Sequence, residues 1–366
     1  MTARTIAFVL PNLRPGGAER VAIRLMHGFR AVGHKIEFVL IQKEGDLLRE
    51  VPDDVRIVDL GVSRVRQSIR PLVRYFKETP PDAAQVRMWP LTIAAIIARR
   101  LARARTRLVV SDHAVLTKHF AGHPLTLAAL GFSIRRFYPW ADARLVVANA
   151  AAEDFARISG LPRDCFEVIY NPVDPPPPDV QPAPEIEELW GDADGRIVTV
   201  GTLKEQKNHA LLIRSFARLR KRRAAKLMIV GAGPLEDELK RLAASLDIAD
   251  HVIFVGFVAQ PWGHYLSADL FVLSSDYEGY PNVLVEAMRC GLAVVSTDCE
   301  SGPREILDDG RFGRLVPVGD EAALAEAMAA DLDAPHSPER VRERAEALSG
   351  AGTIQRYLDL LIGPPR

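Results

Sequence analysis

Short apolar runs of four to six residues recur along this chain, with stretches of helical spacing between them. IAFVL at 6–10, IEFVLI at 36–41, VRIVDL at 55–60, RLVVS at 107–111 and ARLVVA at 143–148 form a first series. RIVTVG at 196–201, KLMIVG at 226–231, VIFVG at 252–256, LFVLSS at 270–275 and LAVVST at 292–297 form a second. Runs this short, separated by helices, predict parallel strands whose sheet is covered on both faces, so the expected class is α/β. Between the two series lies PVDPPPPDVQPAP, 172–184, in which seven of thirteen residues are proline. Proline fixes φ and has no N–H, so this run suits neither a helix interior nor a central strand and acts as a semi-rigid spacer. The expected division is an N-terminal domain over 1–175, a proline-rich linker over 176–190 and a C-terminal domain over 191–345. A helical tail over 346–366 is expected to pack back on the N-terminal domain.

Composition narrows the partners. A length of 366 residues suits two cores of ordinary size. Lys+Arg 47 against Asp+Glu 47 leaves no net charge to hold a polyanion, so no nucleic acid partner is expected. Cys165, Cys290 and Cys299 show no paired spacing, which points to a reducing, cytoplasmic setting and to no zinc site. The opening MTARTIAFVLPNLRPGG reads as a first strand rather than a secretion signal, and no run is long enough to span a bilayer. From Gly61 to Val110 there are eleven Lys/Arg and two acids, and LTIAAIIARRLARARTR within it reads as an apolar helix that turns basic. That helix either solvates its arginines at an ordinary surface or docks on anionic lipid, where each basic residue contributes roughly 1 kcal/mol.

In open parallel sheets ligands bind beyond the carboxyl ends of the strands, so the loops after the strands hold the candidate residues. After the first strand come Gly16 and Gly17, opening a helix; they serve either as a tight turn or as backbone that lets an anion approach the helix start. The G-x-G-x-x-G dinucleotide spacing is missing there. Lys204 and Lys207 follow RIVTVG, placed either for phosphate or as plain surface lysines. Phe257 follows VIFVG and either stacks on a flat ring such as a base or packs into the core. After LFVLSS the chain reads DYEGYPNVLVEAM, which puts Pro281 at the expected first helical position. The amides of Asn282 and Val283 would then face outward at the positive end of that helix and suit a phosphate. Glu286, about a turn inside, could accept both hydroxyls of a ribose, while Glu278 stays in the loop to meet the rest of the ligand.

EGYPNVLVEAM, with its glutamates eight positions apart, resembles the E-x7-E motif of retaining family 4 glycosyltransferases of the GT-B fold. GGAERVA at 16–22, IYNPVD at 169–174, VGTLKEQKNH at 200–209, VGAGPLEDEL at 230–239, VIFVGFV at 252–258 and SGPREILDDGRFGRLV at 301–316 agree in order. The resemblance implies two Rossmann-like, doubly wound domains facing a central cleft. It implies a metal-independent hexosyltransferase that moves a hexose or N-acetylhexosamine from a nucleotide sugar, UDP-linked, to a glycan or polyprenol-linked saccharide. A nucleotide-sugar epimerase of the same fold and a non-catalytic sugar-nucleotide-binding module are the alternatives.

By the same resemblance Gly16 and Gly17 cap the donor phosphate, Lys207 neutralises the diphosphate, and Glu286 holds the ribose. Glu278 contacts the transferred sugar, with Gly279, Tyr280, Asn282 and Val283 around the leaving phosphate. Thr202 stands where the family usually has an arginine, and Lys204 is the available substitute. His113, after strand RLVVS, is similar to a histidine placed beside the donor sugar. No cofactor and no metal are implied. The segments 88–107 and 123–140 would face the cytoplasmic membrane leaflet, making the protein cytoplasmic with a peripheral membrane contact.

Overall fold

The structure is a computed structural model that describes residues 3–112, 115–333 and 337–363, with only the backbone described at His119 and Ala351. It divides into two units: Met1–Val173 with Gly350–Arg366, and Asp174–Ser349.

The first unit holds β1 (Thr5–Leu10), β2 (Lys35–Leu40), β3 (Arg56–Asp59), β4 (Ala83–Arg87), β5 (Arg107–Asp112), β6 (Ala143–Val146) and β7 (Glu167–Val168). Its helices are α1 (Gly17–Ala31), α2 (Ile69–Glu78), α3 (Leu91–Ala102), α4 (Leu116–His119), α5 (Pro124–Phe137) and α6 (Asn149–Ser159). The strands form one parallel sheet in the order β3-β2-β1-β4-β5-β6-β7. Because successive side chains point to opposite faces, β1 sends Ala7 and Val9 to one core and Ile6, Phe8 and Leu10 to the other. The Phe8 ring lies 6.0 Å from that of Phe29 and 5.7 Å from that of Phe38. Burying each such ring contributes about 1.5–3 kcal/mol.

The second unit holds β8 (Arg196–Val200), β9 (Lys226–Val230), β10 (Val252–Gly256), β11 (Leu270–Leu273), β12 (Ala293–Thr297) and β13 (Arg314–Val316). Its helices are α7 (Pro184–Trp190), α8 (His209–Arg220), α9 (Glu236–Ser245), α10 (Trp262–Leu266), α11 (Asn282–Cys290), α12 (Pro303–Ile306), α13 (Glu321–Asp333) and α14 (Pro338–Ser349). The sheet is again parallel, in the order β10-β9-β8-β11-β12-β13. The last helix, α15 (Ala351–Ile362), belongs to the first unit, where Tyr357, Leu358 and Leu361 join the core built on β1 and α1.

Three strands have no counterpart among the apolar runs: β4, β7 and β13. The spacer is also shorter than 176–190, because Pro184–Trp190 is helical with proline at its start. Trp190 is fully buried and its Nε1 donates to Ser267 Oγ at 2.9 Å, so this segment belongs to the second unit's core. The basic stretch after residue 88 likewise serves its own unit. α3 buries Leu91, Ala94, Ala95, Ile96 and Ala98, leaving Leu101 exposed near its end. Among the described residues, no helix is long and apolar enough to cross a membrane.

Candidate functional site

In both sheets the winding reverses between two neighbouring central strands, and a ligand fits the crevice at their carboxyl ends. In the second unit these strands are β8 and β11, and the loops leaving them are bonded together. The Asp276 amide donates to the Gln206 carbonyl at 2.9 Å, and Gln206 Nε2 donates to the Tyr277 carbonyl at 2.8 Å. Asn208 Nδ2 donates to Asp276 Oδ1 at 2.8 Å, and Ser274 Oγ to the Lys207 carbonyl at 2.9 Å. Asn208 sits at φ 44 and its side chain also caps α8, accepting from the Leu211 amide at 3.1 Å.

This lacing brings Lys207 Nζ to 2.6 Å from Glu278 Oε1. Ser275 Oγ donates to the same oxygen at 2.6 Å, and Thr297 Oγ1 at the end of β12 donates to the Ser275 carbonyl at 2.6 Å. Glu278 is 5% exposed, so its charge depends on these donors rather than on water. Desolvation of its ammonium and then the charge of Lys207 lower the pKa of Lys204, against the pull of Glu278. Lys207 is thus the cation paired with Glu278, with Lys204 close enough for both charges to act on its ammonium.

Behind these loops, close backbone contact requires glycine. A Cβ on Gly231, whose φ is +152, would lie 1.9 Å from the Gly201 carbonyl oxygen, and one on Gly233 would lie 2.4 Å from that of Leu203. The turn at 279–281 is braced by Ser301 and Gly302. Ser301 Oγ donates to the Gly279 carbonyl at 2.8 Å, and a Cβ on Gly302 would strike Pro281 Cδ at 2.4 Å.

α11 begins at Asn282 with Pro281 as its N-cap, one residue later than the sequence suggests. The first bond of the helix runs from the Leu284 amide to the Pro281 carbonyl at 3.0 Å, so the Asn282 and Val283 amides precede it. Proline supplies no N–H at the cap, and its φ of −75 leads the chain into the helix. Glu286 is 7% exposed and accepts from the Tyr265 hydroxyl at 3.2 Å. Chemically, the array sets ammonium groups and helix-start amides beside a buried carboxylate, with a second carboxylate one turn further on. It can meet a diphosphate and two sets of hydroxyls.

Glu278, Lys207, Gly279, Tyr280, Asn282, Val283 and Glu286 therefore share one end of the second sheet. Thr202 is exposed in the loop after β8. Phe257 is 54% exposed after β10, so it is not a core residue. Gly16 and Gly17 open α1 in the first unit, and His113 lies outside the described residues. Its neighbour Asp112 is turned inward, accepting from the Trp89 amide at 2.9 Å and from the Tyr138 hydroxyl, and burial pushes its carboxyl up to about 6. The residues that sequence reasoning missed are Ser275, Gln206, Asn208, Thr297 and Tyr265. Except for Ser275, which bonds Glu278 three residues on, their partners at the site are distant in sequence, and nothing in their local spacing marks them.

The space that Gly16 leaves is not empty, because a Cβ there would lie 2.3 Å from Glu19 Oε2. Burial raises the Glu19 pKa, while its own backbone N–H and Arg87 pull it down. Arg87, fully buried at the end of β4, donates to the Ala18 carbonyl at 2.8 Å and to Gln85 Oε1 at 2.9 Å. Burial pushes its guanidinium down to about 10, while Tyr357 of α15 and Glu19 hold it up. The carboxyl end of β4 thus braces the first turn of α1.

Both units of the chain are similar to known proteins. The family model described as "Glycosyl transferases group 1" matches residues 186–348, and that described as "Glycosyltransferase Family 4" matches residues 15–176. The N-acetylgalactosamine-N,N'-diacetylbacillosaminyl-diphospho-undecaprenol 4-alpha-N-acetylgalactosaminyltransferase of Campylobacter jejuni is 29% identical over 96% of this chain and 98% of its own. The GDP-mannose-dependent alpha-(1-6)-phosphatidylinositol monomannoside mannosyltransferase of Mycolicibacterium smegmatis is 32% identical over 72% of this chain and 68% of its own. Among solved structures, Anabaena HepE in complex with UDP and glucose superposes with a TM-score of 0.81 at 22% identity, covering 97% of this chain and 98% of that one.

Proposed function

Since the chain belongs to the family 4 glycosyltransferases, with the GT-B fold of two Rossmann-like domains, we propose that it is a retaining transferase. It moves a hexose or N-acetylhexosamine from a UDP-sugar to a glycan or polyprenol-linked saccharide. The observation that carries this reading is the Lys207–Glu278 pair beside the start of α11, with Glu286 one turn in. The acceptor class follows the Campylobacter relative, whose name specifies a diphospho-undecaprenol saccharide.

In the transfer, the bond from the anomeric carbon to the diphosphate oxygen breaks and its electron pair leaves with UDP. The acceptor oxygen bonds to that carbon on the same face, and its proton passes to the departing phosphate. Lys207, Lys204 and the amides of Asn282 and Val283 would meet the charge that develops there, so no resident metal or cofactor is invoked. Glu278, held by Lys207 and Ser275, would accept hydroxyls of the transferred sugar. Incubating the protein with a panel of UDP-sugars and a lipid-linked saccharide should release UDP and give an axial-configured product by NMR. If no sugar nucleotide binds, the reading is lost. Ser275→Ala should lower kcat about tenfold and stability by about 1.5 kcal/mol, because Glu278 loses a short hydrogen bond to its charge. UDP release and urea unfolding measure the two effects, and an unchanged kcat would show that Glu278 needs no such support.

A peripheral membrane contact belongs to the same proposal and is supported by α5. Leu125 is 85% and Phe132 69% exposed on this helix, and Ala128 and Ala129 complete the same face. Next to its end, the guanidiniums of Arg100 and Arg136 lie over the Trp140 ring, at 4.2 Å and 4.3 Å from its centroid. Residues 113–141 contain no Asp or Glu. An apolar helical face bordered by arginines without acids fits the interface of an anionic bilayer. Leu125→Asp and Phe132→Asp should each weaken flotation with phosphatidylglycerol vesicles about tenfold, given about 1.5–3 kcal/mol per buried side chain, while UDP binding is unchanged. Flotation unaffected by both substitutions would remove α5 from the contact.

A further inference from the structure

We propose that Tyr265 is a positioning residue for Glu286, an inference that rests on the reading that Glu286 holds the donor ribose. Tyr265 is completely buried in α10, and its hydroxyl lies 3.2 Å from Glu286 Oε2 and 3.4 Å from the Val283 carbonyl. A carboxylate and a carbonyl only accept, so the single phenolic proton is donated, and the shorter contact is to the carboxylate. That contact ties α10 to α11 across an interval of 21 residues.

The tyrosine cannot easily swing away. Its ring packs at 5.9 Å from that of Phe271 on β11 and at 6.3 Å from that of Trp262. α10 itself is tethered, since Ser267 Oγ donates to the His264 carbonyl at 3.0 Å and accepts from Trp190 Nε1 at 2.9 Å. α7, which the proline-rich sequence had disguised as linker, is therefore one of the supports of this side chain. The plane of a glutamate carboxylate is set by its third χ angle, and the buried Tyr265 hydroxyl is one of the groups that restrict it at Glu286. A fixed donor at one oxygen selects one plane, and a ribose that needs both hydroxyls accepted at once binds best when the plane is already set.

The test is a cycle on protein and ligand, read by calorimetry with the full chain: wild type and Tyr265→Phe, each against UDP and against 2′,3′-dideoxy-UDP. Tyr265→Phe keeps the ring and its packing, so the fold is retained. Wild type should prefer UDP over the dideoxy nucleotide about a hundredfold, as expected for two charge-assisted hydrogen bonds. Tyr265→Phe should weaken UDP about tenfold and leave the dideoxy nucleotide unchanged, so that the preference shrinks to about tenfold. Equal weakening of both nucleotides would mean that Tyr265 supports the fold and not the carboxylate. Unchanged binding of both would mean that it supports neither, and either result overturns the inference. A wild type that does not distinguish the two nucleotides would instead remove the Glu286–ribose reading itself.

Discussion

Lys207→Met is expected to abolish transfer and to destabilise the second unit by about 3 kcal/mol, the low end for breaking a buried ion pair. The reason is what the substitution leaves behind. The Glu278 side chain is 6% exposed and that of Lys207 16%, so removing the ammonium strands a carboxylate that water barely reaches. Ser275 would remain as a donor to it, which is why the loss stays at the low end. The companion variant Lys207→Met/Glu278→Gln should recover most of the stability, because it removes both charges. It should recover none of the activity, because the diphosphate still lacks its cation and the sugar its acceptor. Urea unfolding and UDP release measure the two effects separately. If Lys207→Met turned over UDP-sugar normally, Lys207 would not be the diphosphate cation.

Glu286→Ala should lower kcat/KM about 10²- to 10³-fold, with most of the change in donor binding rather than in kcat. Each charge-assisted bond to a ribose hydroxyl contributes about 1.5–3 kcal/mol, and alanine removes both. The ribose does not change charge as the anomeric bond breaks, so ground state and transition state lose alike, which raises KM and spares kcat. Glu286→Gln keeps the shape and a neutral acceptor and should fall between the two. Steady-state kinetics with the best UDP-sugar, together with the dissociation constant of UDP, check this. Near-normal affinity in Glu286→Ala would place the ribose elsewhere.

The place of Glu278 and Lys207 was legible because each lies in a loop after a strand that reads clearly as apolar, and that of Glu286 because Pro281 marks the start of the helix that carries it. The strand β4, by contrast, was not legible at all. AAQVR contains Gln85 and Arg87, so it breaks the apolar pattern, yet all five of its residues are buried between β1 and β5. Part of their polarity is answered inside the fold, by the Ala18 carbonyl and by each other, and a partner 69 residues away leaves no local trace. β7 and β13 escaped because strands of two or three residues carry no periodicity.

Alternating apolar runs determined by themselves that this chain forms two helix-covered parallel sheets, since a strand apolar on both sides has no stable place except under helices. The residue types and spacing of DYEGYPNVLVE likewise determined where a helix start and two acids would lie. Tertiary structure alone decided which donors hold those acids. Thr297 and Gln206 reach the site because parallel strands far apart in sequence end side by side, and Tyr265 because α10 packs on α11; there a hydrogen bond a few ångströms long replaces the water that burial removes. Such a bond depends on separation in space, and sequence records only order along the chain.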